Sequence, residues 1–361
     1  MTRRSPVATD AATIFTDLDA VAQRARERAT AELEQQESVE ELPPDGSAMV
    51  AVSRAVRELR GAVLADGAVG LEKLSKDPDA DLTEQEQFGL EAIVLLEGRP
   101  ALPVQGGDFW PPPEEWTSLV DQRASIRESI SRVGRIDVSG HPDLDWVGTG
   151  FLVAPDVVMT NRHVAVEFSR RDGEGWRFMS GRGARLDLLA ELGNTRAVDF
   201  AVTEVVGVHD DDDIDLALLR VEPVGPDDAA LPPPLRMAGT APGDVVGRPV
   251  YVVGYPAWDG RRNEPEPMRR IFMDVYNVKR LQPGMTTQSP TPETVLRHDC
   301  STLGGNSGSP VFDLTTHVVV GLHFGGRYGF GNFAVPVWRL AADPLVASAG
   351  LDFVDVTTVP G

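Results

Sequence analysis

The spacing of apolar residues changes near residue 135. Before that point it is helical. Ala11 to Glu41 is rich in Ala, Glu, Arg, Leu and Gln, and Phe15, Leu18, Val21 and Ala22 recur at helical intervals. Leu42-Pro43-Pro44-Asp45-Gly46 breaks the pattern. Ser47 can cap a second helix whose apolar side is Val50, Val52, Val56, Leu59 and Val63, and Asp66-Gly67 is expected to end it. Thr83-Glu84-Gln85-Glu86 has the form of a capping box, which predicts a third helix reaching about Leu96. Pro100, Pro103, Gly106, Gly107 and Pro111-Pro112-Pro113 then resist both helix and strand, so residues 100–115 read as a linker. Trp116 to Val133 reads as one more helix, with Leu119, Ile126 and Ile130 on its apolar side.

From Arg135 onward, short runs rich in Val, Ile, Phe and Tyr are separated by Gly, Pro and Asp. They are Val147–Val153, Val157–Thr160, Ala197–Val208, Leu216–Val221, Val250–Gly254, Ile271–Val278, Val318–Phe324 and Asn332–Val337. This spacing predicts an all-β sandwich or a pair of barrels rather than alternating βα units. Gly225–Pro234 reads as a long connection between two β halves, and a short helix is expected near Trp338–Ala347.

Composition narrows the function classes. Asp and Glu total 55 against 34 Lys and Arg in 361 residues, a formal charge of −21. That balance disfavours nucleic acid and anionic membrane surfaces as partners. A single cysteine, Cys300, rules out an intrachain disulfide. With no apolar segment of about 20 residues and no secretory leader pattern, the expectation is a cytoplasmic protein. The six histidines and Cys300 show no metal-ligand spacing, so neither a metal nor another cofactor is expected. Cys300 reads as a small buried side chain, His298 and His317 as structural or exposed, and His141 and His209 as exposed.

Three segments of the β region carry chemistry. They are Gly148-Thr149-Gly150 with Thr160-Asn161-Arg162-His163, Asp213-Ile214-Asp215-Leu216-Ala217-Leu218-Leu219, and Leu303-Gly304-Gly305-Asn306-Ser307-Gly308-Ser309-Pro310. A serine hydroxyl is a weak nucleophile until a base takes its proton. Histidine suits that role near neutral pH, and a carboxylate on its other nitrogen fixes the tautomer. Glycines beside the serine let backbone N–H groups converge on a developing oxyanion. His163, Asp215 and Ser307 supply the catalytic set, and the N–H groups of Gly305 and Ser307 supply the hole. Asp215 is preferred over Asp213 and the neighbouring acids because Leu216–Leu219 place it at the start of a buried strand.

These segments resemble the chymotrypsin/trypsin-fold serine peptidases. TNRHVA, DLALL and GGNSGSP stand in the family's His, Asp, Ser order, 52 and 92 residues apart. The resemblance covers about residues 136–345. It implies a mainly β, chymotrypsin-like two-barrel peptidase domain preceded by an α-helical N-terminal module. The expected division is 1–115 for the helical adaptor and its linker. The peptidase domain then takes 116–361, with a linking helix at 116–134 and barrels at 136–345. GGNSGSPVF followed by Gly321-Leu322-His323-Phe324-Gly325-Gly326 is most similar to the bacterial glutamyl-endopeptidase, or V8-like, branch. That implies an S1 pocket in which His323 and Thr302 meet an acidic P1 side chain, with Ser301 at the pocket floor. Phe324, Gly325 and Gly326 would form the edge that pairs with substrate backbone.

Asn306 replaces the aspartate that trypsin-like zymogens pair with a freed N-terminus, so that activation route is not expected. The layout also resembles peptidases of bacterial signalling and conflict systems, which implies a protein partner for the N-terminal helices besides a protein or peptide substrate. Two other readings stand beside an active endopeptidase. One is a catalytically retired protease fold serving as a binding scaffold. The other is a latent enzyme whose loop Gly304–Ser307 forms only when the N-terminal helices engage a partner.

Overall fold

The computed structural model describes residues 11–34 except 13 and 16, 47–258 except 174 and 212, 272, 275–289, 291, 294–327 and 331–358. It divides into two compact units, residues 1–98 with 113–115 and residues 99–112 with 116–361.

The first unit is helical. Helices α1 (Leu18–Glu34), α2 (Ser47–Lys76) and α3 (Glu84–Ile93) bury Phe15, Val21, Ala22, Leu64, Ala68, Leu71, Leu90 and Ile93 in one core. The expected capping box is present: Thr83 accepts from the Glu86 N–H, and Glu86 accepts from the Thr83 N–H. The third helix passes into a π-helical turn at Val94–Gly98. Residues 35–41 of the expected first helix and the breaker at 42–46 lie outside the described residues. One boundary is corrected. Asp66-Gly67 does not end the second helix, which runs on to Lys76. Gly67 instead faces Gly89, and a Cβ on Gly67 would sit 2.3 Å from the Gly89 carbonyl group. The glycine is there for a close helix–helix approach, not for a stop.

The second unit holds two closed six-strand rings. The first ring runs β10-β5-β4-β3-β8-β9: β3 (Val133–Ser139), β4 (Trp146–Ala154), β5 (Val157–Thr160), β8 (Gly183–Asp187), β9 (Asp199–Val208) and β10 (Ala217–Val221). A small hairpin, β6 (Ser169–Asp172) with β7 (Gly175–Phe178), stands outside it. The second ring is β12 (Pro249–Gly254), β15 (Pro310–Asp313), β16 (Val319–Arg327), β17 (Gly331–Pro336), β14 (Leu296–His298) and β13 (Arg280–Thr287), closed by pairing of β12 with β13. Gly225–Pro234 lies in the connection between the rings, as expected, and β11 (Met237–Ala238) pairs with β16 on one side and with β18 (Phe353–Val354) on the other.

The uninterrupted apolar runs have a physical reason. On β4, Leu152 enters the core of the first ring, while Phe151 and Val153 enter a larger core shared with the second. On β10, Ala217 and Leu219 point one way and Leu218 the other. With alternate side chains buried on both faces, no polar alternation is left to read.

Three further expectations are corrected. Residues 100–115 are not simply a linker, because Leu102–Gln105 forms β1, which pairs with β13 and turns back into β2 (Asp108–Phe109). The fully buried Arg280 donates to the Ala101 carbonyl, and Arg99 bonds Asp299 at 2.6 Å, so long-range partners order a segment that is locally unfavourable. Trp116–Val133 is a 3-10 turn (Glu114–Trp116) and two short helices, α4 (Ser118–Asp121) and α5 (Arg123–Ile130), broken at Gln122, and Val133 already starts β3. The expected strand Ile271–Val278 falls partly outside the described residues, and the strand of that region starts later, at Arg280.

Helix propensity alone makes Gly67→Ala stabilising by about 1 kcal/mol. The backbone contact with Gly89 reverses the sign. The substitution is expected to lower unfolding free energy by about 1–3 kcal/mol, measured by urea titration.

Candidate active site

Strand pairing brings the first two predicted site residues together. β5 and β10 are antiparallel with Thr160 opposite Ala217. His163 follows β5 by three residues and Asp215 precedes β10 by two, so both stand at one end of this strand pair. His163 sits in a single helical turn, α6 (Arg162–Ala165), entered through the buried Asn161, whose Nδ2 donates to the Asp215 carbonyl at 2.8 Å. The Asp215 carboxylate holds the histidine at two points. Oδ1 accepts the His163 backbone N–H at 3.0 Å, and Oδ2 lies 2.6 Å from Nδ1. A proton on Nδ1 satisfies that contact and leaves Nε2 as the basic nitrogen. Asp213 has no such contact with the ring; it lines the same cleft.

Ser307 lies in a loop tied to the first ring. Its carbonyl accepts the Thr149 N–H at 2.9 Å, and Thr149 Oγ1 donates to the Gly305 carbonyl at 2.8 Å. Gly305 and Gly308 have φ of +83° and +88°. A Cβ on Gly305 would sit 2.4 Å from the Trp146 ring and the Tyr255 carbonyl, and one on Gly308 2.1 Å from the Thr149 carbonyl, so both conformation and space demand glycine. The Gly304 carbonyl accepts from the Ala257 N–H at 2.7 Å. In a trans peptide this turns the Gly305 N–H the other way. Among the described residues, neither the Gly305 nor the Ser307 N–H has a backbone acceptor.

Of the S1 candidates, His323 stands on β16 and Ser301 and Thr302 in the segment that follows β14, with β17 paired to both strands. His323 is 2% exposed, and its Nδ1 lies 3.1 Å from Nε2 of the fully buried His298. Burial pushes the His323 pKa well below the usual histidine value, and nearby His298 and His163 push the same way. Burial takes His298 down to about 4. Thr302 donates to Asn332 Oδ1 at 2.6 Å, and Asn332 Nδ2 donates to the Cys300 carbonyl at 2.6 Å. Ser301 donates its hydroxyl to the Arg99 carbonyl at 2.7 Å. Phe324 lines a cleft of about 690 Å³ with Arg162, His163, Val166, Asp213, Asp215, Thr294 and Val295. Among the described strands, β16 beyond His323 pairs only with β17, and a Cβ on Gly325 would meet nothing within 4 Å.

Sequence reasoning missed Asn332 and the partnership of His298 with His323. Strand pairing is what reveals them: on β17, Asn332 pairs across to both His298 and Gly326. The reading of His141 and His209 as exposed is corrected. Their side chains are 8% and 15% exposed, bonded to Glu167 and Asp343. His317 is half-buried between Tyr251 and Gln122. Cys300 is buried, and burial raises its thiol pKa well above normal. Among the described residues no cluster could hold a metal ion, and no helix is long and apolar enough to cross a membrane.

Two closed rings, with the histidine and carboxylate at the edge of one and the serine loop in the other, define the double-barrel serine peptidase class. Residues 148–322 match the trypsin-like peptidase domain family. Exfoliative toxin A of Staphylococcus aureus is 26% identical over 222 residues, which cover 58% of this chain and 66% of the toxin, just under two thirds of its length. Among solved structures, the Rv3671c protease of M. tuberculosis is similar in its active form (22% identity, TM-score 0.42, 65% of this chain and 88% of that one). Its inactive form is also similar (22% identity, TM-score 0.39, 64% and 96%).

The buried His298 has a consequence for stability. Its folded pKa of about 4 lies below the ordinary value of 6.5, so the unfolded chain binds the extra proton first. The stabilisation is complete above about pH 6.5 and is lost as pH falls towards 4, by roughly 3 kcal/mol from this residue. Denaturant titrations from pH 7 to 4 should show that decline, reduced in His298→Asn.

Proposed function

We propose that this protein is a serine endopeptidase in which Ser307 is the nucleophile, His163 the base and Asp215 the group that orients it. The observation that carries the reading is the two-point hold of Asp215 on His163, which leaves Nε2 free to take the Ser307 proton and return it to the leaving amine. The N–H groups of Gly305 and Ser307 bind the oxyanion of the tetrahedral intermediate. Substrate backbone lies along the open side of Phe324-Gly325-Gly326 as an added strand, and water hydrolyses the acyl-enzyme by the same proton route in reverse.

The pocket reading is acidic P1. His323, kept neutral by burial, offers a ring N–H, while Thr302 and Asn332 add polar contacts beside Gly326. Ser301, committed to the Arg99 carbonyl, has no charge with which to receive Lys or Arg. The helical unit is proposed to recruit a protein partner rather than to gate catalysis. What supports this is the Gly304 contact with Ala257, which orients the Gly305 peptide from within the second unit.

Ser307→Ala is expected to lower kcat/KM on peptides by about 10⁴–10⁶. A loss below tenfold would remove the assignment, whereas no cleavage by either protein would leave the latent or the scaffold reading. In a P1-varied peptide library, cleavage after Glu or Asp should dominate and should disappear in His323→Val while other cleavage persists. Cleavage spread over all P1 residues would discard the pocket but keep the triad.

A further inference from the structure

We propose that Gln282 is a positioning residue for the oxyanion loop, acting through Asn306. Asn306 stands between Gly305 and Ser307, the two residues whose N–H groups form the proposed hole. Of residues 304–307, it is the one with a fully buried side chain. Its backbone N–H and its Nδ2 both donate to the Leu303 carbonyl, at 3.2 and 3.3 Å. A carbonyl can only accept, so the Asn306 amide has one possible orientation, with Oδ1 facing away from Leu303. Oδ1 accepts from Gln282 Nε2 at 3.0 Å. Gln282 is fully buried on β13, in the closed second ring, so a rigid strand reaches the loop through one neutral amide contact.

The seat for this contact is built. A Cβ on Gly254 of β12 would sit 2.4 Å from Asn306 Oδ1 and 2.1 Å from Ser309 Oγ, so glycine there makes room for the pair. The loop needs such a hold because Gly304, Gly305 and Gly308 leave its backbone with much conformational freedom. Gln282 also has a cost: its Oε1 is buried with no partner among the described residues. A residue kept only for packing would carry no orphaned acceptor, whereas one kept for its donor accepts that penalty.

The inference rests on the reading of Gly305 and Ser307 as the oxyanion hole, and the test separates the two. Full-length wild type, Gln282→Met and Ser307→Ala are compared in peptide kinetics and in hydrogen–deuterium exchange of residues 303–309. Methionine keeps the length and bulk of glutamine and removes the donor. The expected result for Gln282→Met is a kcat lower by about tenfold to a hundredfold with KM within about threefold, because one weakened hole donor costs rate rather than binding. Exchange over 303–309 should rise at least fivefold while β15 stays protected. Unchanged exchange in a folded Gln282→Met overturns the proposal whether or not peptides are cut. Should that variant not fold, wild-type exchange decides: slow exchange at 303–309 supports the proposal, and exchange at the rate of an open loop overturns it. Wild-type turnover that survives Ser307→Ala overturns the Ser307 nucleophile reading alone, since the exchange comparison does not depend on turnover.

Discussion

The site depends on a seam of hydrogen bonds centred on Thr149. This residue of the first ring donates its backbone N–H to the Ser307 carbonyl and its hydroxyl to the Gly305 carbonyl. Its own carbonyl accepts from Thr160, two residues before the helical turn that carries His163. The Tyr255 N–H, just after β12, also donates to the Thr149 hydroxyl, at 3.3 Å. One buried residue, through its backbone and its hydroxyl, therefore ties the serine loop, the histidine strand and the second ring together. Buried hydrogen bonds of this kind are costly to leave half-made, so the seam is satisfied as a unit or fails as a unit.

Around that seam, the polar partners are neutral. Asn306, Gln282, Thr302, Asn332, His298 and His323 all act as uncharged partners. Low polarity makes this the stable choice: an isolated ion in such a place would need a partner of opposite sign within reach. The exception is Asp215, which stays partly exposed at the cleft and takes two N–H donors from one residue.

The strand runs, the capping box at Thr83, the triad candidates and the two-barrel class were legible because each is local or periodic. A capping box spans four residues, and TNRHVA, DLALL and GGNSGSP are contiguous. What failed was long-range in origin. Gly67 looks like a helix stop until Gly89 is seen against it, and the prolines near Leu102 look like linker until β13 and Arg280 supply partners. His141 and His209 looked exposed because their partners, Glu167 and Asp343, lie 26 and 134 residues away.

The sequence by itself determined which residue types stand ready for nucleophilic chemistry and in what order, since order and neighbours are properties of the chain. Tertiary structure alone decided which of them meet. The β5–β10 register places Asp215, and not Asp213, against His163. The pairing of β17 with β14 and β16 sets Asn332 beside His298 and Gly326. The reach of β13 puts Gln282 on Asn306. Hydrogen bonds act over about 3 Å in space and are indifferent to separation along the chain, so only the closed rings reveal them.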